Sequence, residues 1–426
     1  MRAFQEPGSW SLSFAGAGFL GLYHVGACQC LQERAPQLLR GARRFYGSSS
    51  GALNAVGLVC GKSADFCCSQ LLGLVKEVER LSLGILHPAF WPVEHIRREL
   101  EHHLPADVHI QASQRLGISL TRWPDGQNCI ITHFASREEV IQALICTLYI
   151  PFYCGVIPPE FRGERYIDGA LSNNLPYSDC SRTITVSPFR GTVDICPQSL
   201  SASVHELQAF QACFQISSRN LEQGVYALLP PSPEVVADCC RQGYLDALRF
   251  LERRGLTQER VLWTLVCEAP PGASETQDPK TGLCLDWTVP NVRVADVPDF
   301  QKLSPELEAA LRRACVRDPA PWARFCRSVP GQALTYLLLP CTLPLQYIYF
   351  RGKRLVLWLP QMPADLCWVQ DQLRSAAALA CAQMREQLLG PASPPAASPL
   401  PPGSAPTAAG DVAQEQRAGH QACATP

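Results

Sequence analysis

From residue 10 to about 190, short apolar runs alternate with stretches of helical periodicity, the pattern of an α/β layer structure with a largely parallel sheet. Leu12 to Ala15 reads as a strand that passes through glycines into a helix over about Leu22 to Glu33. Phe45-Tyr46 reads as a second strand entering a second turn, with a helix from about Ala52. Ser63 is placed to cap a further helix whose Phe66, Leu71, Leu74, Val75 and Val78 share a face. Leu116 to Thr121 and Cys129 to Phe134 read as paired strands, because Pro124-Asp125-Gly126-Gln127 between them has turn chemistry. Ser136-Arg137-Glu138-Glu139 has capping-box spacing before an apolar helix.

Further along, Ser304-Pro305 opens an amphipathic helix with Leu307, Ala310, Leu311 and Ala314 on one face. Five arginines, at 312, 313, 317, 324 and 327, face a single Asp318. The 22 residues from Val329 to Phe350 are uncharged and are closed by Arg351-Gly352-Lys353-Arg354 and a second apolar patch, Leu355 to Leu359. Gly390 to Pro426 holds eight prolines and almost no large apolar side chain, which predicts disorder.

Composition narrows the partners. With a net charge of −1 the chain has no broad positive field, so nucleic acid is excluded as an expected partner. The 21 cysteines include no CxxC pair, and the chain has no Asn-x-Ser/Thr acceptor. A reducing, cytosolic setting is expected rather than a disulfide-stapled secreted one. Residues 7 to 32 carry no charge apart from His24 and could pass for a signal peptide, but the strand-like alternation of Ser11 to Phe14 and the glycines from Gly16 to Gly26 argue for folded structure.

Two loops carry candidate chemistry. Gly47-Ser48-Ser49-Ser50-Gly51 fits GxSxG between an apolar run and a helix, the setting in which a serine is exposed on a tight strand-to-helix turn. Gly16-Ala17-Gly18-Phe19-Leu20-Gly21 follows a strand and opens a helix. A dinucleotide loop would want an acidic residue ending the second strand, yet Glu33 sits at a helix tail beside Arg34. The preferred reading is a loop aiming N–H groups at an oxyanion, with a nucleotide loop or a structural turn as alternatives. A serine nucleophile needs a base. His24 lies in the first helix, where packing or capping is the expected role, His102, His103 and His109 lie in a polar stretch, and His205 precedes an amphipathic helix without strand-end context. Asp168-Gly169-Ala170 follows Arg165-Tyr166-Ile167 at a strand end, where a carboxylate in a dry site could take the serine proton itself; an ordinary turn aspartate is the alternative.

A glycine-rich loop, GxSxG some 30 residues later and Asp-Gly-Ala about 120 further on together resemble the patatin-like phospholipase family. Trp10 to Cys28, Phe45 to Gly57, Tyr149 to Pro159 and Arg162 to Pro176 are similar to its adiponutrin and adipose triglyceride lipase branch, and Gly243 to Leu251 extends the likeness over roughly residues 9 to 255. The resemblance implies a three-layer α/β/α fold and hydrolysis of long-chain acyl esters, typically triacylglycerol, by a Ser-Asp dyad with no metal and no cofactor. Ser49 would be the nucleophile and Asp168 the base, with Gly16, Ala17, Gly18 and Phe19 as the oxyanion loop and Gly47 and Gly51 flanking the elbow. Ser48 and Ser50 stand where relatives often have alanine, so the choice of nucleophile needs checking.

The organisation expected is a catalytic domain over 9–180, its extension over 181–255, a linker and amphipathic helix over 256–328, a hydrophobic lipid-surface region and helix over 329–389, and the disordered tail over 390–426. Val329 to Phe350 is long enough to enter lipid, but Pro330, Pro340 and Pro344 argue against straight spanning. Flanking basic residues, among them Arg351, Lys353 and Arg354, suit a segment that dips into a lipid-droplet monolayer and returns. A core helix and strand packed on the catalytic domain is the alternative. The expected protein acts in the cytoplasm on lipid droplets, with the endoplasmic-reticulum face as a second location and lipase-regulating proteins as partners. Two rivals stand beside the lipase: a droplet-bound scaffold with a vestigial site, and an acylglycerol transacylase.

Overall fold

A computed structural model describes residues 6–198, 206–209, 211–256 and 304–389. The tail from Gly390, His205 and most of the 256–303 stretch lie outside the described residues. The first strand is β1 (Ser11–Phe14), joined by α1 (Leu22–Arg34) and α2 (Pro36–Arg40) to β2 (Phe45–Gly47). Four helices, α3 (Ser50–Val59), α4 (Ala64–Arg80), α5 (Pro92–His103) and α6 (Val108–Arg115), lead to β3 (Leu116–Trp123). Then come β4 (Asn128–Ile131), α7 (Arg137–Thr147), β5 (Glu160–Phe161), β6 (Glu164–Asp168) and β7 (Thr183–Val186). A hairpin of β8 (Glu206–Ala209) and β9 (Ala212–Gln215) precedes α8 (Ser218–Leu228) and α9 (Pro233–Arg253). The C-terminal helices are α10 (Pro305–Cys315), α11 (Pro321–Arg327), α12 (Val329–Trp358) and α13 (Met362–Leu389).

The main sheet runs β5-β6-β3-β2-β1-β7, with β4 paired to β3 off that path. β7, β1, β2 and β3 are parallel, and β6, β5 and β4 form an antiparallel margin. All four residues of β1 and of β7 are buried. Strands buried on both sides need a helical layer on each face, so the architecture is three-layer α/β/α. The parallel strands end together, which gathers the loops after β1 and β2 at one sheet edge, the ordinary place for a ligand in such sheets.

Local signals translate directly. The hydroxyls of Ser63, Ser136 and Ser304 accept the N–H groups of Phe66, Glu139 and Leu307. Glu139 reaches back to the Ala135 N–H rather than to its own cap residue, and the same carboxylate takes the Arg162 guanidinium. Leu307, Ala310, Leu311 and Ala314 are the buried residues of α10, which packs on α4 and α9.

The chain divides into two compact units between Leu357 and Trp358. The segment from Val329, in the first unit up to Leu357, departs from expectation: it does not turn back at its prolines but forms one 30-residue helix ending at Trp358, with Pro340 and Pro344 inside it. At 1.5 Å per residue α12 is about 45 Å long. Among the described residues it is the one helix long and apolar enough to cross a membrane, and Leu337, Leu345 and Ile348 on it are 75%, 70% and 69% exposed. Pro340 and Pro344 are four residues apart, so both missing donors fall on one edge of the helix while the remaining edges keep their bonds. The basic cluster is also rearranged. Arg351 and Lys353 are exposed on α12, whereas Arg354 is half-buried, donating to the carbonyls of Pro88 and Phe90 at 2.9 and 2.6 Å and lying over the Trp91 ring. Gln346 meets His87 Nε2 at 2.9 Å, and Phe350 packs edge-on against the same imidazole. Positions 346, 350 and 354 share one helix face, and that face docks on residues 87–91.

Candidate active site

β2 ends at Gly47, and the chain turns sharply into α3 through Ser49, whose φ of 51° and ψ of −128° lie in a region that L residues rarely occupy. Close packing enforces the turn. A methyl group on Gly51 would sit 2.3 Å from the Phe14 carbonyl oxygen, and one on Gly47 2.5 Å from the Ala52 nitrogen. Thr147, the last residue of α7, supports the bend from below: its hydroxyl accepts the Ser49 N–H at 2.9 Å and donates to the Ser119 carbonyl at 2.7 Å.

β6 delivers Asp168 to the same place. Its backbone is pinned on both sides, the N–H donating to Tyr149 O at 2.8 Å and the carbonyl accepting from the Thr121 hydroxyl at 2.7 Å. The carboxylate accepts the Ala170 N–H at 2.8 Å, and the Ser49 hydroxyl lies near enough to favour its ionised form. Burial pushes the Asp168 carboxyl up to about 7, against the smaller opposing pull of the Ala170 N–H and the Ser49 hydroxyl. A carboxylate of that basicity, beside a serine on a strained turn, has the protonation behaviour of a general base near neutrality.

The elbow serines are divided by role. Ser48 and Ser50 are both turned to the glycine loop. Ser48 Oγ donates to Asn174, whose Oδ1 also accepts the Gly16 N–H at 2.8 Å, and Ser50 Oγ accepts the Ala17 N–H at 3.0 Å. Of the three, Ser49 is the one whose hydroxyl bears on the Asp168 carboxyl. The same bonds engage the N–H groups of Gly16 and Ala17, two of the four loop residues that the resemblance implies as oxyanion donors. The N–H groups of Gly18 and Phe19 lead the short helical turn Gly18–Gly21, where first-turn donors have no partner within the turn. His24 packs under this loop: burial holds it down to about 4, so the neutral ring donates from Nε2 to Ala15 O at 2.8 Å. Above it lies α8, so close that a methyl on Gly18 would come 1.9 Å from the Ala227 carbonyl oxygen.

Gly18, Phe19 and Ser49 line one cavity with Leu53, Leu148 and Tyr153. No cluster of His, Cys, Asp or Glu among the described residues is arranged to hold a metal. Sequence reasoning missed Thr147 and Asn174, and spacing carries no signal for either, since both act through contacts between distant segments.

Residues 12–180 match the family of patatin-like phospholipases. Human patatin-like phospholipase domain-containing protein 5 is 65% identical over 95% of this chain and 97% of its own length. The chain belongs to the patatin-like phospholipase family. Patatin-like phospholipase domain-containing protein 2 of Rattus norvegicus is 42% identical, over 87% of this chain and 76% of its own. The human 1-acylglycerol-3-phosphate O-acyltransferase PNPLA3 is 39% identical over 85% and 79%. The patatin match begins on β1 and ends before β7, so it includes the glycine loop, the GxSxG turn and Asp168.

Proposed function

We propose that this family member is a serine acyl hydrolase of neutral lipids, a triacylglycerol lipase working through a Ser49-Asp168 dyad at the lipid-droplet surface. The observation that carries the reading is the placement of a serine on a strained elbow beside a buried carboxyl raised to about 7, a carboxyl on which that serine's hydroxyl exerts a pull. Asp168 removes the hydroxyl proton as Ser49 Oγ bonds to the ester carbonyl carbon, and the negative charge moves to the carbonyl oxygen. The Gly18 and Phe19 N–H groups hold that oxyanion. The tetrahedral intermediate collapses as the C–O bond to glycerol breaks and Asp168 returns the proton to the leaving alkoxide. Water then attacks the acyl-enzyme with Asp168 taking its proton, and the fatty acid departs as Ser49 is reprotonated. No step calls for a metal or a cofactor. The exposed apolar side chains of α12, with Arg351 and Lys353 beside them, support attachment to a droplet monolayer or to the endoplasmic-reticulum face, with lipase-regulating proteins as further partners.

Purified protein is expected to release fatty acid from emulsified triolein and to be labelled by a fluorophosphonate, and Ser49→Ala is expected to do neither. Equal background rates for the two would leave a droplet-bound scaffold. A second reading draws on the 1-acylglycerol-3-phosphate O-acyltransferase relative: the same acyl-enzyme could hand its acyl group to a 1-acylglycerol 3-phosphate hydroxyl in place of water. Product analysis with that acceptor present separates the two, since transfer yields phosphatidic acid and hydrolysis yields free fatty acid.

A further inference from the structure

The cavity at Ser49 has a volume of about 90 Å³. An apolar cavity of roughly 150 Å³ holds one benzene, so this space alone cannot hold a long alkyl chain. A second cavity of about 170 Å³ lies behind it, and Ser50, Leu53, Leu71, Leu74 and Ile96 line both. Five shared lining residues make the two cavities neighbours, and we infer that they join there through a neck as chambers of one channel. The rear chamber runs beside α3, touching Ser50, Leu53, Asn54 and Gly57, which recur at i, i+3, i+4 and i+7 and so form one helix face. Lys62, Gln70, His95, Glu99 and His103 give it a polar rim, where Lys62 Nζ donates to the His103 carbonyl at 2.8 Å. α3 has 10 residues, so the channel from the nucleophile to that rim is about 15 Å long, on the order of a twelve-carbon extended chain.

We infer that the rear chamber is a binding site for the distal part of the acyl chain, and that it makes the enzyme select for chain length. The inference deepens the hydrolase reading and rests on it. Short acyl groups stop at the neck. Longer ones fill the chamber and gain about fourfold in kcat/KM for each methylene buried, the equivalent of about 0.8 kcal/mol, until the methyl end meets the polar rim. Gly57 is the position at which the chamber can be filled without strain. Its backbone is helical, and an added Cβ would meet nothing closer than Cys67 Sγ at 3.8 Å.

The test compares kcat/KM for p-nitrophenyl esters from butanoate to stearate in wild type, Gly57→Phe and Gly73→Phe. Gly73 makes the same change on α4 where an added Cβ meets nothing within 4 Å, and Gly73 does not line the channel. The palmitate-to-octanoate ratio is expected to fall on the order of a hundredfold in Gly57→Phe and to hold in Gly73→Phe. An unchanged ratio in Gly57→Phe, or an equal fall in both variants, overturns the chamber. Displacement of fluorescent cis-parinaric acid by fatty acids of increasing length reads the chamber without turnover. Preference for long fatty acids in wild type, lost in Gly57→Phe, supports it, and equal displacement profiles overturn it. A wild type that binds long chains yet cleaves no ester removes the hydrolase reading and leaves the chamber standing.

Discussion

Replacing Asp168 with asparagine separates two consequences of burying a carboxyl beside Ser49. The group is 2% exposed and is raised from 3.8 to about 7, a displacement of about 3 pH units. At 1.36 kcal/mol per unit, the folded state then loses about 4 kcal/mol when the group must ionise. Below pH 4 the folded and unfolded chains both hold the proton, and Asp168 contributes nothing to the pH dependence. Between about pH 4 and 7 the unfolded chain releases its proton while the folded chain keeps it, so stability falls as pH rises; above 7 the full penalty is present. Asparagine cannot ionise, and its amide oxygen can still accept the Ala170 N–H. Wild-type stability minus variant stability, from urea denaturation, should therefore drop by about 4 kcal/mol between pH 4 and pH 8. Asp246, pushed up to about 6 by burial, moves stability in the same direction, and His24, held down to about 4, moves it in the opposite one. Both are common to the two proteins and cancel in the difference. Over the same range wild-type kcat/KM should rise tenfold per pH unit and level above about 7, while the variant stays at background. A difference curve that is flat or climbs with pH would show an ordinary carboxylate at 168, and the argument for its basicity would fail.

Thr147→Val removes both the acceptor of the Ser49 N–H and the donor to the Ser119 carbonyl from a buried site. Stability should fall by about 2–4 kcal/mol by urea titration, and kcat by at least tenfold with KM little changed. Gly18→Ala places a methyl against the Ala227 carbonyl at a residue with φ of 52°, so the loop must shift. A loss in kcat/KM on the order of a hundredfold is expected, and a nearly normal rate would take Gly18 out of the oxyanion loop. The triple change Leu337→Glu, Leu345→Glu and Ile348→Glu alters exposed positions of α12 and should abolish co-flotation with triolein emulsions while leaving thermal unfolding unchanged. Retained flotation would count against α12 as the lipid contact.

What the chain states locally, it states clearly. Each serine read as a cap is one, the turn at 124–127 joins two antiparallel strands, and the α10 stripe is the buried stripe. These features depend on residues within a few positions of one another. Neighbours in the sheet do not. Nothing near β1 announces that β7 lies beside it, and the meeting of Ser49 with Asp168 was expected from a family resemblance, since residue spacing alone left Asp168 open as a turn aspartate. The prolines of α12 show the limit of a local rule. Read alone they break a helix, yet the folded chain keeps one, and Gln346, Phe350 and Arg354 dock it on a loop more than 250 positions earlier. Arg354 was counted with the free basic residues because a sequence shows its charge and not the two carbonyls it meets.

The serines at 48 and 50 carry the last step. Where alanine would only fill space, these hydroxyls bind the glycine loop to the elbow, through Asn174 on one side and the Ala17 N–H on the other. On the proposed mechanism the attacking oxygen and the oxyanion donors must keep their separation while charge develops, because donors that have to reorient during the reaction stabilise less. Here the residues immediately before and after the nucleophile set that separation, so the elbow and the loop move as one piece. His24 at Ala15 fixes the loop from beneath. A site organised this way should respond to loss of either hydroxyl in kcat more than in KM, since substrate still enters the same apolar cavity and what loosens is the geometry in which the oxyanion is met.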